Sequence, residues 1–273
     1  MAKLLKIGIV GCGAIGTSLA KAITRDFSDR AELSSLYDIE IEKAYKLSSA
    51  IKTKKIAVLS LDDLINSVDL VIEAASGKSS YEIARKTVSA KKNIMIMSTG
   101  GIIDSYKELF VLAREKGVNI YIPSGAICGL DGLKAAGMSK INKVTLTTRK
   151  PPSAFKGVAF VLKQKINLDQ IKEDTVLFEG TALSAIKHFP ANINVAAALS
   201  ILGLGVSGTT VKIVAAPGVE RNIHEVEIDS DAGTIFTRTE NVIHPDNPKT
   251  SFLAVLSALA TLKGILEPVR IGT

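Results

Sequence analysis

The sequence predicts an α/β protein: a doubly wound parallel sheet of Rossmann type, followed by a second α+β domain built on a mostly antiparallel sheet. Three observations predict it. The chain opens with Lys6-Ile7-Gly8-Ile9-Val10, an apolar β-rich run that breaks into Gly11-Cys12-Gly13-Ala14-Ile15-Gly16 and continues as a helical pattern. Strand-like and helix-like segments then alternate as far as Pro123. Beyond Pro123, segments that alternate apolar and polar residues dominate, as in strands with one wet face.

The first element is the most informative. A G-x-G-x-x-G loop between a strand and a helix is a dinucleotide-binding fingerprint. Gly11 allows the tight turn, Gly13 lets backbone N–H groups approach a pyrophosphate, and Gly16 permits close helix-to-strand packing. Ala14 and Ile15 open the helix whose positive dipole end faces the phosphates. Ala31–Tyr37 reads as the second strand, and Asp38 follows it about twenty residues past Gly16. A carboxylate there accepts both adenosine ribose hydroxyls of NAD and repels the 2′-phosphate of NADP, so NAD is the first expectation. Lys43 and Lys46 lie just beyond and leave NADP open.

The next elements follow the same logic. Lys55–Val58 is predicted as a short strand, Leu61–Asn66 as a helical turn, and Asp69–Ala75 as a buried parallel strand. The loop at its carboxyl end borders the ligand crevice, which makes Ala75 and Ser76 candidate cofactor contacts. Tyr81–Ala90 reads as a helix, Asn93–Ser98 as a strand, Tyr106–Lys116 as a helix closed by Gly117, and Val118–Pro123 as a strand. In the second half, Lys143–Thr148, Ala159–Gln164, Val211–Ala215, His224–Ile228 and Thr234–Arg238 read as antiparallel strands. They are interrupted by one helix from Ala182 to about Leu202. The apolar segment Ser251–Leu262 reads as a helix that returns to the first domain. The expected division is residues 1–123 plus 249–273 for the dinucleotide-binding domain and 124–248 for the catalytic, substrate and dimerisation domain.

Composition narrows the function. With 273 residues, 47% of them hydrophobic, the chain can bury substantial cores. The net charge of +7 comes from dispersed lysines without tryptophan or an aromatic-basic stripe, which argues against nucleic acid and suits anionic small ligands. Two cysteines, both in glycine-rich turns, give no disulfide framework and point to the reduced cytoplasm. The start lacks a convincing signal-peptide cleavage site, and the apolar stretch Val195–Val206 is too short to span a bilayer. No membrane partner and no metal site are expected.

Chemistry must be sought in the second domain, because a Rossmann half says only that a nucleotide binds. Phe189-Pro190-Ala191-Asn192-Ile193-Asn194 places two asparagines where a proline meets the helix. An asparagine amide donates to a carbonyl and accepts from an amide, as a nicotinamide carboxamide requires, whereas the bland reading is helix capping. His224, at the head of a strand, is the preferred acid-base candidate over His188 and His244, although position alone fits a structural histidine equally. Asn247-Pro248-Lys249-Thr250-Ser251 reads as a turn opening the last helix. Lys249, Thr250 and Ser251 there suit a carboxylate or phosphate, and an ordinary N-cap is the alternative.

These segments, in this order behind the glycine loop, resemble the L-aspartate dehydrogenase family. The resemblance runs from the loop through PSGAICGLDGL, FEGTALSAIKHFPANINVAAAL and RNIHEVEI to NPKTS. It implies oxidative deamination of L-aspartate with NAD or NADP to iminoaspartate, then oxaloacetate and ammonia, with iminoaspartate feeding NAD biosynthesis. His224 matches the family's catalytic histidine, and Ala126 and Asn194 match its cofactor-binding positions. Asn192 joins Lys249, Thr250 and Ser251 as expected substrate contacts, and the resemblance adds weight to a homodimer. Ala215-Ala216-Pro217 departs from the family pattern and puts that loop's contacts in doubt. The alternatives are a related two-domain reductase, such as dihydrodipicolinate reductase or homoserine dehydrogenase, and a non-catalytic dinucleotide-binding regulator. The paired-histidine motif of dihydrodipicolinate reductase is missing.

Overall fold

A computed structural model describes residues 3–51, 56–189, 193–245, 247–269 and 271–272, with residues 193 and 247–249 described in the backbone only. The chain divides into two compact units, Met1–Pro123 with Val255–Arg270 and Ser124–Ala254 with Ile271–Thr273. Residues 249–254 and 271–273, expected in the first domain, group with the second unit.

The first unit comprises β1 (Leu5–Val10), α1 (Ala14–Arg25), β2 (Ala31–Tyr37), α2 (Ile41–Ala50), α3 (Leu61–Ser67), β3 (Leu70–Glu73), α4 (Gly77–Ser89), β4 (Asn93–Ile96), α5 (Tyr106–Lys116) and β5 (Ile120–Tyr121). Its strands are parallel in the order β2-β1-β3-β4-β5. Ile7, Ile9, Ile72 and Met95 are fully buried in them, as strands covered on both faces require. The strand expected at Lys55–Val58 is reduced to a single parallel bridge between Ala57 and Leu36, and Lys55 lies outside the described residues. Chain order reverses between β1 and β3, the switch point at which ligands bind across the carboxyl ends of such sheets. Helix α4 begins at Gly77, four residues before the expected Tyr81, because a Ser76 in extended backbone can precede a helix without an apolar start. The expected strand Val118–Pro123 pairs only at Ile120 and Tyr121.

The second unit begins with α6 (Leu130–Ala136), β6 (Ile141–Lys150), α7 (Ala159–Lys163), β7 (Thr175–Thr181), α8 (Ala182–His188) and α9 (Ile193–Leu202). It continues with α10 (Gly205–Gly208), β8 (Thr209–Ala215), β9 (Asn222–Ser230), β10 (Gly233–Asn241), β11 (Ile243–His244) and β12 (Asn247–Ser251). Helix α11 (Phe252–Leu266) closes the chain's regular structure; its Ala258 and Leu262 are buried in the first unit's core. The main sheet of the second unit runs β10-β9-β6-β8-β7. Its central pair, β6 and β8, is parallel and the other pairings are antiparallel, so the sheet is mixed.

Two sequence expectations fail here for identifiable reasons. Ala159–Gln164, expected as a strand, is the helix α7, in which Phe160 packs edge-on against Phe178 at 5.7 Å. A short apolar run cannot be assigned by periodicity alone. The edge strand is instead β7, whose alternation is broken by an irregular register between Val176 and Phe178. The single helix expected from Ala182 is described as α8 and α9, and Phe189 leaves the helical region at φ −132°, as a residue before proline tends to. Residues Ala196–Ser200 of α9 are buried, and Ala196 and Leu199 join the unit's own core.

Candidate active site

The first unit supplies a nucleotide cradle. Gly11 has φ +98°, and a Cβ there would strike the Ala74 carbonyl and lie 2.6 Å from Ala75 N. Only glycine fits this contact between the loop and the end of β3. Gly16 is needed for its approach to the Gly11 carbonyl, whereas a Cβ on Gly13 would meet nothing within 4 Å. That open ground lies at the N-cap of α1, which has no side-chain cap and no acidic residue in its first turn. The N–H groups of the helix start, at Ala14 and Ile15, therefore have no competing side-chain anion, and the cradle fits a pyrophosphate. Asp38 follows β2 and is tied to the same loop: its Oδ2 accepts the Cys12 N–H at 2.7 Å and its Oδ1 the Glu40 N–H at 2.9 Å. Each oxygen keeps a second lone pair for a ribose hydroxyl. Burial, then the Asp38 charge, pushes the Cys12 thiol up to about 12, so this cysteine is an inert filler of the turn.

Glu73 belongs to no motif of the sequence. It ends β3 with no exposed surface, and its carboxylate accepts from Ala75 N (2.9 Å), Ser98 N (2.9 Å) and Ser80 Oγ (3.1 Å). One side chain thus fixes the Ala75–Ser76 loop, the loop after β4 and the body of α4. Burial raises its pKa against these hydrogen bonds. A lone acid inside the apolar run LVIEAA was the available signal.

In the second unit the polar groups collect at one end of the mixed sheet. Alternation puts Thr148 and Lys150 of β6, His224 of β9, and Thr239 and Asn241 of β10 on the face that buries Val144, Leu146, Val226 and Ile228. In the register, His224 sits between Thr148 and Thr239. The imidazole is 6% exposed, and its Nδ1 lies 3.0 Å from Thr148 Oγ1. Burial, with a smaller contribution from the Lys150 charge, pushes its pKa down to about 4, so the ring is neutral near pH 7. Because Thr148 engages Nδ1, Nε2 is the nitrogen left for proton transfer.

The glycine-rich turn before α6 is pinned over this end of the sheet. Thr239 Oγ1 and Asn241 Nδ2 both donate to the Ala126 carbonyl at 3.1 Å, and Thr237 Oγ1 donates to the Cys128 carbonyl at 3.1 Å. A carbonyl only accepts, which fixes the Asn241 amide and leaves its buried Oδ1 without a hydrogen-bond partner among the described residues. The start of α9 adjoins the turn, since a Cβ on Gly125 would lie 3.6 Å from Val195. Asn194, exposed in the first turn of α9, directly precedes Val195.

The remaining candidates fall differently. Asn192 lies outside the described residues, as does the Lys249 side chain. The segment 247–251, expected as a turn opening the last helix, is β12 paired with β11, and α11 starts only at Phe252. The preceding strand Ile243–His244 captures it, so Lys249 and Thr250 do not stand in the helix's first turn. Ser251 directly precedes that helix, and its Oγ is buried without a hydrogen-bond partner among the described residues. Among those residues no group of three or more His, Cys, Asp or Glu could hold a metal ion. No described helix is long and apolar enough to cross a membrane.

Comparison with known proteins is consistent along the chain. Residues 131–265 match a family model described as "Aspartate dehydrogenase, C-terminal", and residues 11–123 one described as "Homoserine dehydrogenase, NAD binding domain". The chain is 47% identical to an L-aspartate dehydrogenase of Methanococcoides burtonii and 45% identical to one of Methanosarcina mazei, covering 99% of this chain and 100% of each relative. Among solved structures, an aspartate dehydrogenase from Thermotoga maritima superimposes with a TM-score of 0.72 at 26% identity, over 99% of this chain and 100% of that one.

Proposed function

The chain belongs to the L-aspartate dehydrogenase family, and from that premise we propose that it oxidatively deaminates L-aspartate to iminoaspartate, and then to oxaloacetate and ammonia, in a reversible NAD(P)-dependent reaction. The observation that carries the reading is the neutral, buried imidazole of His224, held by Thr148 beneath the Ala126 turn. Bound NAD(P) supplies the hydride acceptor. The Gly11–Gly16 loop, with Ala14 and Ile15 at the helix start, holds the pyrophosphate, and Asp38 accepts the ribose hydroxyls. Ala75 and Ser76 border the cofactor, while Ala126 and Asn194 hold its nicotinamide end.

The substrate's nitrogen lone pair must be free before the Cα–H bond can break with its electron pair. His224 Nε2 therefore accepts a proton from the ammonium group, and Thr148 keeps the ring oriented. Once that proton has passed to solvent, the same nitrogen takes a proton from the water that attacks the imine carbon. Asn192, Lys249, Thr250 and Ser251 are proposed to hold the substrate, which fixes Cα at reacting distance.

The enzyme is further proposed to be a cytoplasmic homodimer whose iminoaspartate supplies NAD biosynthesis. Phe236 in β10 and Val176 in β7, 62% and 55% accessible, put an exposed apolar side chain on each edge strand of the second unit's sheet, where a second copy could pack. An amino-acid panel assayed with NAD and with NADP tests the reaction. NADH or NADPH formation with L-aspartate, and consumption with oxaloacetate plus ammonia, is expected; silence in both directions sinks the reading and favours a regulator.

A further inference from the structure

Lys150 is the last residue of β6 and shares a face with Thr148, two residues back along the strand. Across the sheet its neighbours are Ala215 at the end of β8 and, diagonally, His224 of β9, which is directly opposite Thr148. Diagonal neighbours lie about 7 Å apart at Cβ, within reach of a long side chain. The Lys150 carbonyl is held by the Ala216 N–H at 2.8 Å, so the strand end is anchored where the side chain departs.

This ammonium group is partly buried and has neither a hydrogen bond nor an ion pair among the described residues. The contrast with its neighbour is sharp. Arg149, on the opposite face, is bound by Asp174 at 2.6 Å and Glu225 at 3.0 Å. Glu225 also binds Arg238, and Lys212 binds Glu179, so the outward face carries its own counterions. Burying a cation without an anion is costly and persists only where something offsets it. Burial lowers the Lys150 pKa, and its charge in turn helps to keep His224 neutral. An anion arriving here would relieve both.

We propose that Lys150 is the cation that receives a carboxylate of the dicarboxylic substrate, seating it beside His224 at the end of the second unit's sheet. The inference rests on the dehydrogenase reading and adds a carboxylate anchor outside the 247–251 segment. It explains why a lysine stands unpaired at the polar end of this face, beside the donors that pin the Ala126 turn. The carboxylate offsets the Lys150 charge, so substrate binding itself raises the basicity of His224.

Lys150→Met and Lys150→Arg test it. Truncating one partner of a buried charge pair costs enough to weaken binding about 100-fold. The Lys150→Met enzyme should show a KM for L-aspartate, and a succinate inhibition constant, raised by about that factor, with KM for NAD changed less than about twofold. Lys150→Arg should recover most of the loss, because it keeps the charge. Calorimetric titration of succinate into the unaltered and Lys150→Met proteins reads the site independently of turnover. If the unaltered enzyme bound succinate but did not oxidise L-aspartate, the reaction assignment alone would fail. Unchanged KM and succinate affinity in a folded Lys150→Met protein would overturn the carboxylate role. Loss of kcat in both variants without a change in KM would also overturn it, by making Lys150 a proton-transfer group.

Discussion

Acidification should destabilise the second unit through one residue, His224. In the folded protein this imidazole is 6% exposed and its pKa is depressed to about 4, against 6.5 for a solvated histidine. The unfolded chain therefore binds the proton more tightly than the folded one between those values. The stability contributed by the neutral buried ring is fully present above pH 6.5, is lost as pH falls toward 4, and changes no further below that. A shift of this size corresponds to about 3 kcal/mol, most of it lost by pH 4.5. The chain contains no tryptophan, so urea unfolding followed by circular dichroism is the suitable assay, with His224→Gln as the control. Other titrating groups, such as the buried Glu73 carboxyl whose pKa moves the opposite way, are common to both proteins and cancel in the difference. The unaltered protein should lose about 3 kcal/mol more than His224→Gln between pH 7.5 and pH 4. Parallel stability curves for the two proteins would refute the burial argument.

Other predictions concern the cofactor half. Gly13→Ala should leave the melting temperature within about a degree but weaken NAD binding at least tenfold, since the new methyl group meets open ground that the pyrophosphate needs. Gly11→Ala, by contrast, should fail to fold well, because of its positive φ and its collision with the backbone after β3; equal behaviour of the two variants in thermal melts and NAD titrations would contradict the assignment. Asp38→Ala should raise KM for NAD and narrow its preference over NADP, and an unchanged ratio would remove Asp38 from cofactor selection. Glu73→Gln leaves one of three donors poorly matched and should cost roughly 1–3 kcal/mol by urea denaturation; full stability would show that these loops do not depend on the carboxylate.

What the sequence disclosed follows from the range of the interactions involved. The glycine loop and the α5 helix with its closing Gly117 are set by neighbours in the chain, so their residue types announce them. Asp38 is legible because the βαβ unit fixes its distance from the loop. The segment Ala159–Lys163 is helical because Phe160 meets Phe178 and Phe189, contacts that local periodicity cannot reveal. Likewise 247–251 becomes a strand by pairing with Ile243–His244 rather than through its own turn chemistry. In the second unit, Thr148, Lys150, Thr239 and Asn241 carry no motif, and strand register alone gathers them around His224. Individually each reads as an ordinary strand residue.

In the proposed oxidation of L-aspartate, His224 moves the protons. Steady-state kinetics of His224→Ala with L-aspartate and NAD tests it most directly. General acid-base catalysis of this kind contributes about 10²–10⁴-fold, so kcat should fall by that factor while KM for NAD changes less than about twofold. Near-normal turnover would remove His224 from the chemistry.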